Sequence, residues 1–198
     1  MYCFKFSAKI MILITFCITF LFSIAPPIIE DDIIAKEMLP NYELRNLDKK
    51  KVEILDYLET GPMLISFWFL ACEPCKKEMK FLNEFNNKYA EQGFKVISIN
   101  TDNTRALSAV KPYINSKKYT FEVLSDPRSK YFKKTGGQLC PYTILVDHTG
   151  AIFSKHLGFN MGDEEKLEKE VLELIELFEA AENEKPKLVY PPLNSDSK

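Results

Sequence analysis

The chain lacks most of the features that mark a specialised surface. Its 26 basic and 28 acidic side chains leave a formal net charge of −2, so no global field recruits nucleic acid. Histidine is scarce: His148 and His156 are the only two in the 198 residues. A structural zinc site needs about four ligands, and no second CxxC accompanies Cys72 and Cys75. Haem attachment would place histidine directly after the second cysteine, and Lys76 stands there. No internal repeat is present. No metal or organic cofactor is therefore expected, and function must reside in a local site.

What is present is ordinary for one globular domain with appendages: 46% hydrophobic and 27% charged residues. The N-terminus departs from this. Lys5 and Lys9 precede an almost unbroken apolar run from Ile10 to Ala25, followed by Glu30, Asp31 and Asp32. Basic residues before an apolar run keep that end in the cytoplasm and send the rest across. Ser23-Ile24-Ala25 has the small residues of a signal-peptidase site, against which Pro26 counts. Extended to Ile29, the run is about long enough for a bilayer core of ~30 Å. Residues 1–25 are thus a signal peptide or an N-terminal membrane anchor, with residues 10–29 as the tether in the second case. Phe16 is too bulky for the residue before a lipidated Cys17, and neither Cys3 nor Cys17 is given a role. The expected location is extracytoplasmic, in the periplasm or on the outer face of the cytoplasmic membrane. Residues 26–40 read as a linker, 41–182 as the domain, and the proline- and charge-rich stretch 183–198 as a disordered tail.

Between those ends strands and helices alternate. Met63–Leu70 is a short, nearly continuous apolar run, suited to a buried strand. Pro74–Gln92 is helical, with Met79, Leu82, Phe85 and Tyr89 on one stripe and Gly93 ending it. Phe94–Ile99 is a β-branched strand, Thr104–Ser116 a helix despite Pro112, and Thr120–Leu124 a strand. Arg128–Thr135 is a short helix. Tyr142–Asp147 and Ala151–Gly158 form a hairpin about His148-Thr149-Gly150. The last helix shows Leu167, Val171, Leu174, Ile175 and Phe178 on one face. Tyr42–Leu58 reads as a small hairpin at the sheet edge. The class is α/β: a central, mostly parallel mixed sheet with helices on both faces.

Cys72-Glu73-Pro74-Cys75 falls where the first long strand gives way to the first helix. Unpaired N–H groups and the helix dipole favour negative charge there. A thiol at that position becomes a better thiolate than free cysteine, whose pKa is about 8.5, and the thiolate is the attacking species in disulfide exchange. Pro74 suits a first helical turn. Cys72, nearer the helix end, is expected to attack, and Cys75, one turn inside, to resolve the mixed disulfide. A structural disulfide or half a metal site are the competing readings.

With Phe67-Trp68 ahead of the motif, then CEPCKKEM, and later the proline-led strand from Cys140-Pro141 to Asp147, the chain resembles the thioredoxin-like family. The resemblance is strongest to its membrane-associated TlpA/ResA-like thiol-disulfide oxidoreductases and spans residues ~40 to ~180. It implies a redox-active Cys72–Cys75 disulfide, and supporting places for Trp68, Glu73 and Pro74. It also implies a cis Pro141 facing that disulfide, and a Glu78 that holds or relays a proton for the resolving thiol. The competing reading of Glu78 is a solvated charge beside Lys76 and Lys77. The chain departs from the family at three places. Ala71 replaces the usual tryptophan before the first cysteine, which widens the rim. Lys80 replaces a helix-kinking proline. Cys140 precedes Pro141, either as a third reactive thiol or as a quiet packed residue.

The resemblance further implies protein disulfide substrates, among them apocytochromes c during haem attachment, and a membrane thiol carrier as electron donor. Glu-Pro between the cysteines, an acid without histidine, argues for a reductase. Two alternatives on the same fold are a thiol peroxidase and a copper chaperone. The first needs a lone activated cysteine in a threonine-containing loop. The second needs CxxxC with a distant histidine, and here the spacing is CxxC.

Overall fold

The structure, a computed structural model, describes residues 36–184. The expected signal or anchor (1–25), residues 26–35 of the linker and residues 185–198 of the tail lie outside the described residues. The elements run β1 (Glu43–Asn46), β2 (Lys51–Glu53), a 3₁₀ helix (Ile54–Thr60), β3 (Met63–Trp68), α1 (Glu73–Lys88), β4 (Lys95–Asn100) and α2 (Val110–Lys117). They continue with β5 (Glu122–Ser125), α3 (Lys130–Lys134), β6 (Tyr142–Val146), β7 (Ile152–Leu157) and α4 (Asp163–Glu184).

The seven strands form one sheet in the order β2-β1-β5-β4-β3-β6-β7. β3, β4 and β5 are parallel neighbours. The edges are antiparallel: β6 and β7 on one side, and the β1–β2 hairpin, joined through β5, on the other. The central strands are apolar throughout because both sheet faces are covered. Strand periodicity of two sorts their side chains. Leu64, Trp68, Val96, Val123 and Leu145 meet Met79, Leu82 and Phe85 of α1, Val110 and Ile114 of α2, and Leu167, Val171, Leu174 and Ile175 of α4. Met63, Ile65, Phe67, Ile97, Ile99, Ile144 and Val146 face the other way. There Ile54 and Leu55 of the 3₁₀ helix and Tyr131 and Phe132 of α3 cover them. The expected mixed sheet with helices on both faces forms, but it is not mostly parallel: only the β3–β4 and β4–β5 pairings are parallel, because both edges are built from hairpins.

Boundaries differ in instructive ways. The first long helix stops at Lys88, and Ala90–Gln92 tightens into a 3₁₀ turn before Gly93 takes a left-handed conformation, φ 84°. The helix expected over Thr104–Ser116 is a 3₁₀ turn, Leu107–Ala109, followed by α2. Pro112 is tolerated because it lies in the first turn of α2, where its missing N–H has no partner to lose. α4 runs through Glu184, past the expected end of the domain. Lys36–Pro40, read as linker, packs on the β6–β7 turn. Leu39 is buried and its N–H donates to the Gly150 carbonyl at 2.8 Å, while Lys36 pairs with Asp147 at 3.0 Å. Among the described residues no helix is long and apolar enough to cross a membrane.

Gly93 ties the start of β4 to the 3₁₀ helix. A Cβ there would lie 2.2 Å from the Thr60 carbonyl oxygen, on backbone that L residues rarely adopt. Gly93→Ala is expected to lower unfolding free energy by about 2–4 kcal/mol in urea titrations. A change below about 0.5 kcal/mol would show that this close approach does not constrain the fold.

Candidate active site

The site is built at the end of the antiparallel ladder between β3 and β6. Ser66 pairs with Thr143, and Phe67 with Tyr142, the last pair. Beyond it, one strand leads out toward Cys72 and the other enters from Pro141. The Cys140–Pro141 peptide bond is cis.

The loop from Trp68 to Cys72 is held by the end of β4. Thr101 donates its N–H to the Trp68 carbonyl at 2.8 Å and its hydroxyl to the same oxygen at 3.1 Å. The Leu70 N–H donates to Asp102 Oδ2 at 2.7 Å, and the buried Asn100 amide donates to that oxygen at 2.8 Å. The loop then turns into α1 with Cys72 as its N-cap. The Cys75 N–H points at Cys72 Sγ, 3.2 Å away, supplying one of the donors a helix start leaves unpaired. Negative charge on that sulfur would be stabilised by this N–H. Pro74 occupies the first turn, as expected.

Cys72 and Cys75 are joined in a disulfide. Cys72 is 5% exposed and Cys75 fully buried, so the outer sulfur is the one a partner meets first. Cys72 Sγ lies 3.7 Å from the Cys140 carbonyl oxygen, which places the backbone before Pro141 against the disulfide. Trp68 is buried in the same cluster as the two sulfurs, its ring 5.7 Å from that of Tyr113. Ala71 is exposed at the rim, and α1 runs unbroken through Lys80. Glu73 is paired with Lys76 at 2.7 Å, and the lysine holds its carboxyl below the ordinary range. That pairing offsets much of the repulsion that an acid between the cysteines would exert on a thiolate, so Glu73 is a weaker argument for a reductase than the sequence suggests.

Glu78 is not a solvated charge. It is 2% exposed, on the side of α1 that faces the sheet. The Ser66 hydroxyl donates to its Oε2 at 2.9 Å and the Thr143 hydroxyl to its Oε1 at 2.7 Å. Because Ser66 and Thr143 are directly opposed on neighbouring strands, their hydroxyls are spaced to take one carboxyl oxygen each. Burial pushes the Glu78 carboxyl up to about 7, and the two hydroxyls only partly oppose this. Glu78 also borders a cavity of about 140 Å³ with His156, Phe159, Asp163 and Lys166 around it. Ser66 and Thr143 were missed by sequence reasoning. The available signal was one aliphatic hydroxyl in each of two otherwise aliphatic and aromatic strands. Asn100 and Asp102 gave no such signal.

Cys140 is half-buried. Burial pushes its thiol up to about 11, the nearby Glu78 carboxyl adds to this, and the Thr101 hydroxyl opposes it. A thiol so shifted is protonated at neutral pH and a poor nucleophile. His156 Nε2 donates to the Glu170 carboxylate at 2.6 Å, and His148 lies against the ring of Phe178.

Two measurements test these assignments. Glu78 binds its proton more tightly in the folded state (about 7) than at its ordinary value of 4.5. The stabilisation this gives is complete below pH ~4.5 and is lost as pH rises through 7. Unfolding free energy of the disulfide form should therefore fall by roughly 3 kcal/mol more across that window than in Glu78→Gln; parallel profiles would refute a buried, proton-holding Glu78. Separately, alkylation of Cys140 by iodoacetamide should stay slow at pH 7–8 and accelerate only above pH ~10. Rapid labelling at neutral pH would restore the third-thiol reading.

The redoxin family model matches residues 34–171. Thiol-disulfide oxidoreductase ResA of Bacillus thuringiensis (strain Al Hakam) is 34% identical over 119 residues, covering 60% of this chain and 67% of that protein. Among solved structures, a thioredoxin-like protein from Porphyromonas gingivalis superposes with TM-score 0.59 at 29% identity, over 70% of this chain and 92% of that one. A thiol:disulfide interchange protein from Bacteroides sp. gives TM-score 0.60 at 24% identity over 71% and 90%, a likeness of fold. With the disulfide at its helix start and the cis proline against it, the chain belongs to the redoxin family, as a thiol-disulfide oxidoreductase of thioredoxin-like fold.

Proposed function

We propose that this oxidoreductase acts outside the cytoplasm as a reductase of protein disulfides, with apocytochromes c among its substrates. One observation carries the exchange mechanism: the Cys72–Cys75 disulfide lies at a helix start, 3.7 Å from the Cys140 carbonyl, with a buried carboxyl of pKa about 7 three residues along the same helix. The location is supported by the basic residues and apolar run of Lys5–Ala25. The substrate class is supported by the likeness to ResA.

In the reduced protein the Cys72 thiolate attacks one sulfur of a substrate disulfide. A mixed disulfide forms and the other substrate sulfur leaves as a thiolate. Cys75, deprotonated as it reacts, attacks Cys72 Sγ. The Cys72–Cys75 bond forms, the mixed disulfide breaks, and the second substrate thiolate departs. Two electrons pass from the protein to the substrate, and both substrate thiolates take up protons. A carboxylate of pKa near 7 is matched to accept the Cys75 proton and return it to solvent. An extended substrate segment beside Cys140-Pro141 would align its disulfide with Cys72. A membrane thiol carrier would then return the pair to the dithiol by the same exchange in reverse. The joined pair differs from the lone activated cysteine that a peroxidase requires.

The Cys75→Ser variant should trap substrates as mixed disulfides on Cys72, visible as dithiothreitol-sensitive adducts by mass spectrometry, with cysteine-pair segments of apocytochromes c among them. Cys72→Ser should trap none. Absence of adducts from Cys75→Ser, or equal yields from both variants, would overturn the assigned roles.

A further inference from the structure

Beside the helix that carries the disulfide lies a groove of about 390 Å³ that the exchange chemistry does not use. One wall is the outer face of α1. Glu73, Lys76, Lys77 and Lys80 recur there at the three- and four-residue spacings that share a helix surface. The other wall is the end of α2, where Tyr113 and Lys117 are four apart, with Tyr119 just beyond.

Its charge is unbalanced. Glu73 is the one carboxylate among the described lining residues, and Lys76 holds it at 2.7 Å. Lys77, Lys80 and Lys117 are exposed and take part in none of the ion pairs among the described residues. The ammonium groups of Lys76 and Lys117 stand 5.9 and 6.0 Å from the centre of the Tyr113 ring. The rings of Tyr113 and Tyr119 are 6.4 Å apart, edge to face. Like charges gathered on one helix face do not stabilise it. Nor does composition account for them, since the chain as a whole carries −2. A floor of half-buried tyrosines between exposed lysines matches an anionic peptide, whose side chains offer carboxylates to the rim and apolar surface to the rings.

Position supplies the purpose. Glu73 directly follows Cys72 and Lys76 directly follows Cys75, so a polypeptide bonded to Cys72 has its neighbouring residues within reach of this groove. We infer that the lysine–tyrosine groove docks an acidic segment flanking the disulfide of the protein substrate, and so selects substrates by charge. The inference rests on the exchange reading above. A nucleic acid would match the sign of the charge, but an extended polyanion needs a broad basic surface, and this basicity is confined to one short groove.

The test uses two synthetic peptides with one internal disulfide each, identical except for three flanking positions that are Glu in one and Lys in the other. The reduced full chain is mixed with each, and its remaining thiols are counted by alkylation and mass spectrometry. At low salt the acidic peptide should oxidise the protein about tenfold faster, a preference that shrinks to under about twofold at 0.5 M salt. The triple variant Lys77→Gln, Lys80→Gln, Lys117→Gln should lose most of the preference while keeping the wild-type melting curve. Should that variant misfold, the salt dependence of the wild type decides alone. Equal rates for the two peptides at low salt, or a faster basic peptide, would overturn the groove assignment and leave the exchange reading intact. Failure of both peptides to react would strike the exchange reading itself. A single-stranded oligonucleotide that suppresses the reaction at lower concentration than an unreactive acidic peptide would also overturn the assignment to a protein substrate.

Discussion

The antiparallel ladder that joins Met63–Phe67 to Tyr142–Val146 sets where the reacting groups stand. Five residue pairs lock the register, and register in a sheet covered on both faces cannot slip without turning apolar side chains outward. The last pair is Phe67 with Tyr142. From there the chain of β3 crosses to Cys72 in a loop pinned by Thr101 and Asp102, while β6 is entered from Pro141. The closeness of the disulfide to the Cys140 carbonyl is thus a consequence of strand pairing. It does not depend on any strong contact between the two loops, which touch at 3.7 Å.

The same register explains the buried acid. Ser66 and Thr143 oppose each other one step before the ladder ends, on the face that receives α1. Glu78 sits over them, and its carboxyl is shielded from water in an otherwise apolar layer. Neutral hydroxyls are weaker partners for a carboxylate than cations. Burial therefore wins, and the group is poised near neutrality. Glu73 and Glu168 show the opposite outcome on the surface. Lys76 and Lys88 pair with them, and both carboxyls are held below the ordinary range. Along the first half of α1 the protein thus carries one acid tuned to stay charged, Glu73, and another tuned to exchange its proton, Glu78. Cys140, close to the buried acid, is shifted the other way from a reactive thiol by the same lack of water.

Much of this was legible in advance, because its causes are local. The MLISFWFL run, the Met79–Leu82–Phe85–Tyr89 stripe and the turn about His148-Thr149-Gly150 each specify an element within a few residues, and all formed in order. Less local features were misplaced. Leu39 looked like linker because its burial depends on the Gly150 turn more than a hundred residues away. Pro112 looked like an interruption until its place in a first turn was known. Ser66 and Thr143 are small aliphatic hydroxyls in largely apolar strands, and nothing in either strand alone says that they meet.

By itself, then, the sequence determined the alternation of elements, the cysteine pair at a helix start and the proline before β6. Each follows from side-chain periodicity or backbone preference over a short stretch. Only the tertiary structure decided the state of the groups around that pair. It buried Glu78 and raised its pKa to about 7, pushed the Cys140 thiol up, paired Glu73 with Lys76 and set the lysines of α1 against the tyrosines beyond. The reason is physical: ionisation and charge pairing depend on exposure to water and on neighbours brought together from distant parts of the chain, and no local pattern encodes either.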